Sequence, residues 1–177
     1  MNFKKFAALI CSTLLALSSV TMLTVSAQTK TYTIDNDALS STGFYNYNSG
    51  FTYHSFSGSY NGDARRAPTN SGAFYAWCHP QTSFHSQNVT YTLRVYLNHS
   101  TFNDPAAKYH ANVDGTISDT ALFTINQAVA PVGFSSARTT NYRANLIQQI
   151  RLYPSEKPNY NTGADAIEIT YTYTPNN

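Results

Sequence analysis

Charge is what this sequence has least of, with 11 basic and 9 acidic side chains among 177 residues and a formal net charge of +2. Disordered chains combine high net charge with few aromatics. This one is 14% aromatic, and disorder is excluded as its main character. Lys4 and Lys5 supply the whole positive excess, and without them basic and acidic side chains number nine each. A neutral remainder has no electrostatic footprint for a phosphate backbone, so nucleic acid is not an expected partner. Cysteine is almost missing. Cys11 and Cys78 are the two present, and only Cys78 lies beyond the amino-terminal segment, where no intramolecular disulfide can form. With Phe74, Ala76 and Trp77 as neighbours, Cys78 reads as a small buried hydrophobe rather than a reactive thiol. No Pro-rich linker, charge run or internal repeat divides the chain.

Met1–Ala27 reads as a secretory signal peptide. Lys4 and Lys5 form its basic start, Phe6 to Leu17 its apolar stretch, and Val25-Ser26-Ala27 the small-residue cleavage site before Gln28. A membrane anchor needs about 20 apolar residues, and Ser12, Thr13, Ser18, Ser19, Thr21 and Thr24 interrupt the run. Lipid attachment at Cys11 is disfavoured by the bulky Ile10 beside it. The expected location is therefore extracellular, with 28–177 as one domain and no membrane span in the mature chain. Thr174-Pro175-Asn176-Asn177 carries no sorting motif, so release or non-covalent retention is expected. About 150 residues are enough to bury roughly 70% of the unfolded surface without staples.

Beyond Gln28 the dominant period is two. Tyr32 and Ile34 oppose Thr31 and Thr33. Val89, Tyr91, Leu93, Val95 and Leu97 alternate with Thr90, Thr92, Arg94 and Tyr96, and Ile167, Ile169, Tyr171 and Tyr173 with Glu168, Thr170 and Thr172. Such alternation marks half-buried antiparallel strands. Shorter strands are expected at Phe44–Tyr47, Phe51–Phe56, Ala73–Cys78, Tyr109–Val113, Leu122–Ile125 and Val132–Phe134. Leu146–Tyr153 is read as a strand, with a short helical turn as its rival. Asn48-Ser49-Gly50 can close a hairpin between two aromatic strands. Asn61-Gly62-Asp63, Asn70-Ser71-Gly72, Asp114-Gly115 and Asn161-Thr162-Gly163 supply further turns, and Asp104-Pro105 and Lys157-Pro158 mark loops. About ten short strands so punctuated predict an all-β sandwich or barrel.

Set in this order, several motifs resemble the golvesin / xanthan-lyase carbohydrate-binding-like domain. They are Tyr60-Asn61-Gly62-Asp63 with Arg65-Arg66-Ala67, Gly72-Ala73-Phe74-Tyr75-Ala76-Trp77, Tyr91-Thr92-Leu93-Arg94-Val95-Tyr96, Val132-Gly133-Phe134, and Thr162-Gly163-Ala164-Asp165-Ala166-Ile167. The likeness runs from Asp35 to Tyr173. It departs at Asn88-Val89-Thr90, where the family carries a glycine, and no tryptophan precedes Val132-Gly133. The resemblance implies a galactose-binding-like jelly-roll sandwich. Members accompany polysaccharide-active enzymes, which implies glycan contact by association.

Residues with catalytic chemistry are sparse. Glu156 and Glu168 are the only glutamates, and a glycosidase needs two facing carboxylates. Asp35 and Asp37 share a turn whose clustered oxygens suit Ca²⁺, although the EF-hand spacing is not met and a solvated turn is the plainer reading. No cofactor is expected. His54, His79, His85, His99 and His110 form no His-x₃-His pair, and Cys78 and His79, being adjacent on a strand, face opposite ways. No nucleophile elbow or P-loop occurs. Asp165, on an otherwise apolar strand, either caps a loop through backbone amides or meets a ligand. Arg65-Arg66 reads as a solvated loop, or as a grip for an anionic sugar.

Aromatics carry the stronger signal. Phe44, Tyr45, Tyr47, Phe51, Tyr53, Phe56 and Tyr60 fall within 17 residues among Asn46, Asn48, Ser49 and Ser55. Tyr45 and Tyr47 are expected on one strand face, and Phe51 and Tyr53 likewise. Phe44, Phe56 and Trp77 are assigned to the core. Tyr45, Tyr47, Tyr53 and Asp165 are the candidate ligand-binding residues. The expected function is a secreted, non-catalytic module recognising polysaccharide or a cell-surface glycan. The alternative is a secreted structural or adhesin-, matrix- or inhibitor-like protein whose tyrosine-rich face meets another extracellular protein.

Overall fold

The computed structural model describes residues 26–38, 45–78, 89–98, 102–113, 115–142 and 147–175. Residues 1–25, most of the segment 1–27 expected to be a signal peptide, lie outside them, as do Phe44, His79, His85, His99 and Asp114. Among the described residues there are fourteen strands and no α-helix, and every strand pairing is antiparallel.

The first sheet is built on β6 (Val89–Leu97) and β14 (Ile167–Tyr173), with β1 (Gln28–Ile34) outside β14. β10 (Gly133–Phe134) and β11 (Arg138–Tyr142) share the other edge of β6. The alternation expected for β6 and β14 is complete. Val89, Tyr91, Leu93, Val95 and Leu97 are buried, as are Ile167, Ile169, Tyr171 and Tyr173. The opposite face is rich in threonine. Thr31, Thr170, Thr92 and Thr139 stand in register, and Thr29 faces Thr172; hydroxyls meet in the pairs Thr31–Thr170 (2.9 Å), Thr29–Thr172 (3.3 Å) and Thr92–Thr139 (3.3 Å). Such cross-strand pairs stabilise a sheet's wet face.

The second sheet runs β2 (Tyr45–Ser49), β5 (Phe74–Cys78), β12 (Ile147–Tyr153), β7 (Ala107–Val113) and β8 (Thr116–Ile117), with β9 (Phe123–Ile125) also on β7. Its inner face delivers Tyr75, Trp77, Tyr109, Ala111, Ile150 and Leu152 to the core between the sheets. This is the β-sandwich of jelly-roll type that the sequence predicts. β12 is a strand, not a helical turn. A register irregularity between Ile147 and Gln149 turns Ile147, Ile150 and Leu152 inward, which is why the alternation looked imperfect.

A third, small sheet of β13 (Asn161–Ala164), β4 (Asp63–Pro68) and β3 (Thr52–Ser55) corrects three expectations. Asn48-Ser49-Gly50 closes no hairpin, because β2 pairs with β5 and β3 with β4; the chain changes sheet there, and Gly50 sits at φ +78°. Arg65-Arg66 is not a loop but the middle of β4, paired on both sides. Asn161-Thr162-Gly163 is not a turn. It is a strand, with Thr162 and Gly163 buried. The closing strand also breaks at Asp165-Ala166, where the chain passes from the third sheet to the first. There the Asp165 carbonyl is free of a ladder and accepts the Trp77 indole N–H at 2.8 Å. Trp77 and Cys78 are buried as expected, and Phe56 is half-buried against His54 and Phe102.

Candidate functional site

The outward face of the second sheet collects aromatics because register does so. Residues directly opposite on antiparallel neighbours share a face. Tyr47, Ala76, Arg151 and His110 form one such row, and Phe74 and Tyr153 flank it. One ring comes from each of four successive strands. Tyr47 in β2 lies 5.4 Å from Phe74 in β5, Phe74 6.2 Å from Tyr153 in β12, and Tyr153 5.3 Å from His110 in β7. Three inter-strand steps make this strip roughly 14 Å long. Tyr47 is 55% exposed and the other three rings are half-buried.

Polar groups interleave the rings. The Arg151 guanidinium lies over Phe74, 5.0 Å from the ring centre, and its Nε donates to Gln149 Oε1 at 2.8 Å. Asn112 Nδ2 donates to the same oxygen at 3.1 Å. His110 Nδ1 lies 2.8 Å from the Ser118 carbonyl, which can only accept, so Nδ1 carries the proton. In the neutral ring Nε2 is then left as an acceptor. At this end a groove of about 470 Å³ is lined by Lys108, His110, Tyr153, Ser155, Asp119 and Glu156, among others. Two buried polar atoms lack partners, Asn112 Oδ1 on this face and Ser155 Oγ in the groove lining. Flat rings with hydrogen-bonding groups between them suit an elongated, hydroxyl-bearing ligand.

The four residues expected to bind ligand do not share this surface. Tyr47 belongs to the strip. Tyr53, 53% exposed, sits on β3 in the third sheet with Arg65 5.8 Å over its ring. Its expected face-mate Phe51 precedes β3 and is buried at 6% exposure against Tyr75. Tyr45 pairs with Cys78 along β2, and its side chain is outside the described set. Asp165 is corrected to a loop cap: it is 1% exposed, and its carboxylate accepts the Tyr60 N–H at 3.0 Å. Phe74, His110, Arg151 and Tyr153 were missed, since none stands in the aromatic-dense segment. The available signal was positional, as each alternates with an inward residue (Tyr75, Ala111, Leu152) on a strand.

Asp35 and Asp37 do lie at a turn, but not a solvated one throughout. Asn36 between them is fully buried, and its amide donates to the Asp63 carbonyl (2.9 Å) and carboxylate (2.7 Å). The Asp35 carboxylate accepts from the Asn36 N–H and the Asn61 amide. No group of three or more His, Cys, Asp or Glu side chains placed for a metal ion occurs among the described residues.

Burial pushes the Asp165 carboxyl up to about 7, partly offset by the Tyr60 N–H and the Ser59 hydroxyl. The native chain thus holds a proton that the unfolded chain releases near pH 4. Its contribution to stability is full below that pH and lost as pH rises to about 7, on the order of 3–4 kcal/mol. Urea midpoints at pH 4.5 and 8 are expected to show this fall, and Asp165→Asn to flatten it. An equal slope in the variant would assign the dependence to other groups.

No protein-family model and no curated protein matches the chain. Among solved structures, a Paenibacillus xanthan lyase matches 83% of this chain at a TM-score of 0.53 and 16% identity. The chain spans only 13% of that enzyme's length. A family 29 carbohydrate-binding module from Piromyces equi matches 85% of this chain and 93% of its own, at a TM-score of 0.41 and 15% identity. The lyase segment has the jelly-roll fold found here.

Proposed function

We propose that this chain is a non-catalytic carbohydrate-binding module, acting outside the cell, that lays a polysaccharide across the outward face of the second sheet. The strip of Tyr47, Phe74, Tyr153 and His110 carries this reading. Sugar rings present C–H faces that stack on flat side chains, and their hydroxyls need hydrogen-bonding groups beside those rings. His110 Nε2 and the Arg151 Nη groups fill that need. An open strip favours an extended chain over a single sugar. Likeness of fold to part of a xanthan lyase, a protein named for a polysaccharide, is in keeping with this reading.

Asp119 and Glu156 line the groove but are exposed, and among the described residues no cation pairs with either carboxylate. That is unlike the environment a glycosidase builds around its acid. Binding without turnover is the expected result.

The test is retention on immobilised polysaccharides in affinity gels. A Tyr47→Ala/Tyr153→Ala pair is expected to lose at least tenfold in retention while keeping the native unfolding midpoint, since both rings are partly solvent-facing. Unchanged retention would place the site elsewhere. Co-purification with an extracellular protein, with no retention on any glycan, would replace the reading with a protein-interaction role.

A further inference from the structure

Arg151 stands at the centre of the strip with its charge unmatched. Among the described residues the one ion pair is Arg94–Glu168 at 3.3 Å, on the other sheet. The Arg151 side chain is half-buried and braced on two sides, by Gln149 Oε1 at its Nε and by the Phe74 ring beneath its plane. Gln149 is itself held by Asn112. Taking up Nε fixes the plane and leaves the two Nη groups, the end of the fork, with no protein acceptor among the described residues. Two parallel N–H donors at the tip of a guanidinium match the two oxygens of a carboxylate.

Neighbouring charges say where an anion belongs. Lys108 is exposed on β7, one row from His110, and is in ion-pair contact with no acid among the described residues. Asp119 and Glu156 line the same groove as Lys108, so the groove is of mixed charge. Arg151 is the charge at the centre of the strip, in the row of Tyr47 and His110. Arg65 and Arg66 are also without ion pairs among the described residues, but they lie in the third sheet rather than the second. Arg65 leans on Tyr53 and donates to the Asn36 carbonyl, and Arg66 rests over Phe56.

We propose that the strip recognises an acidic polysaccharide, one whose sugar units carry carboxylates, and that Arg151 receives a carboxylate end-on through its two Nη groups while Tyr47 and Tyr153 stack on the adjoining sugars. This rests on the carbohydrate reading above and narrows its ligand. Lys108 adds attraction without directional contact. Arg151 is thus the residue that sets specificity, and the rings supply affinity common to charged and neutral glycans.

The experiment compares the full chain on polygalacturonate, alginate and xanthan, each beside its carboxyl-reduced form with the same backbone and no charge. Retention on at least one acidic polymer is expected to exceed that on its reduced partner about tenfold to a hundredfold, the range of one charge-assisted contact, and to fall with added salt. Arg151→Gln is expected to abolish the preference while leaving residual binding to the reduced polymer. Arg151→Lys, which keeps the charge but not the fork, is expected to restore less than half of it. The wild-type comparison requires no variant to fold. Equal retention on both forms, or a preference that survives in Arg151→Gln, overturns the carboxylate assignment and leaves the carbohydrate reading standing. Retention on neither form, there or on neutral glucans and mannans, overturns both.

Discussion

Gly163→Ala is expected to destabilise the chain by about 3 kcal/mol or more, at the upper end of what overpacking does. A Cβ at Gly163 would sit 1.9 Å from two atoms of the Phe102 ring and 2.3 Å from a third. Phe102 is fully buried, its ring edge-on to Phe56, so it has nowhere to swing. The backbone cannot yield cheaply either. The Gly163 N–H donates to Gln127 Oε1 at 3.0 Å and its carbonyl accepts from Gln127 Nε2 at 2.9 Å, so the buried Gln127 amide pairs with it as a strand would. Urea unfolding followed by the fluorescence of Trp77, the only tryptophan, reads the effect directly. Phe102→Leu in the Gly163→Ala background is expected to recover part of the loss, a coupling that separates steric conflict from a general weakness of β13. A loss under 1 kcal/mol would show that the ring and strand adjust freely.

Asp104→Ala should cost about 3–5 kcal/mol, because three donors lose their acceptor at once and each unpaired buried group costs about 1–3 kcal/mol. Asp104 is fully buried. Its Oδ2 accepts from the Ser155 N–H at 2.8 Å and the Thr162 hydroxyl at 2.6 Å, and its Oδ1 from the Ala106 N–H at 2.9 Å. These contacts tie the wall of the groove, through Ser155, to β13 of the third sheet. Faster amide exchange at Ser155 and Ala106, whose N–H groups the carboxylate accepts, should accompany the loss of stability. Protection unchanged at both positions would mean that the carboxylate is incidental to this junction. The Asp104→Asn variant keeps one acceptor and should fall between the two.

Both residues were read from sequence as punctuation, Asp104 before a proline and Gly163 in an Asn-Thr-Gly turn. Residues before proline do avoid the helical region, and glycine does tolerate turns. Local preference does not decide either position, because the long-range contacts that do come from residues 36 to 61 positions away. The same applies to the expected hairpin at Asn48-Ser49-Gly50. The local turn is there, but β2 finds its partner in β5 and β3 in β4. Tyr47 and Tyr53, six residues apart, are thereby sent to different sheets.

What the sequence determined by itself was the alternation of β6 and β14, the burial of Trp77 and Cys78, and with them the all-β sandwich. Burial of every second residue is a property of a single strand, visible before its partners are known. Only the tertiary structure decided which rings share an outward face. Tyr47, Phe74, His110 and Tyr153 lie far apart along the chain and meet through the pairing of β2, β5, β12 and β7. It also put Arg151 in their midst and hid Asp165 beneath Tyr60. Strand order and register are set by long-range pairing and core packing, and a period of two in one segment says nothing about its neighbours.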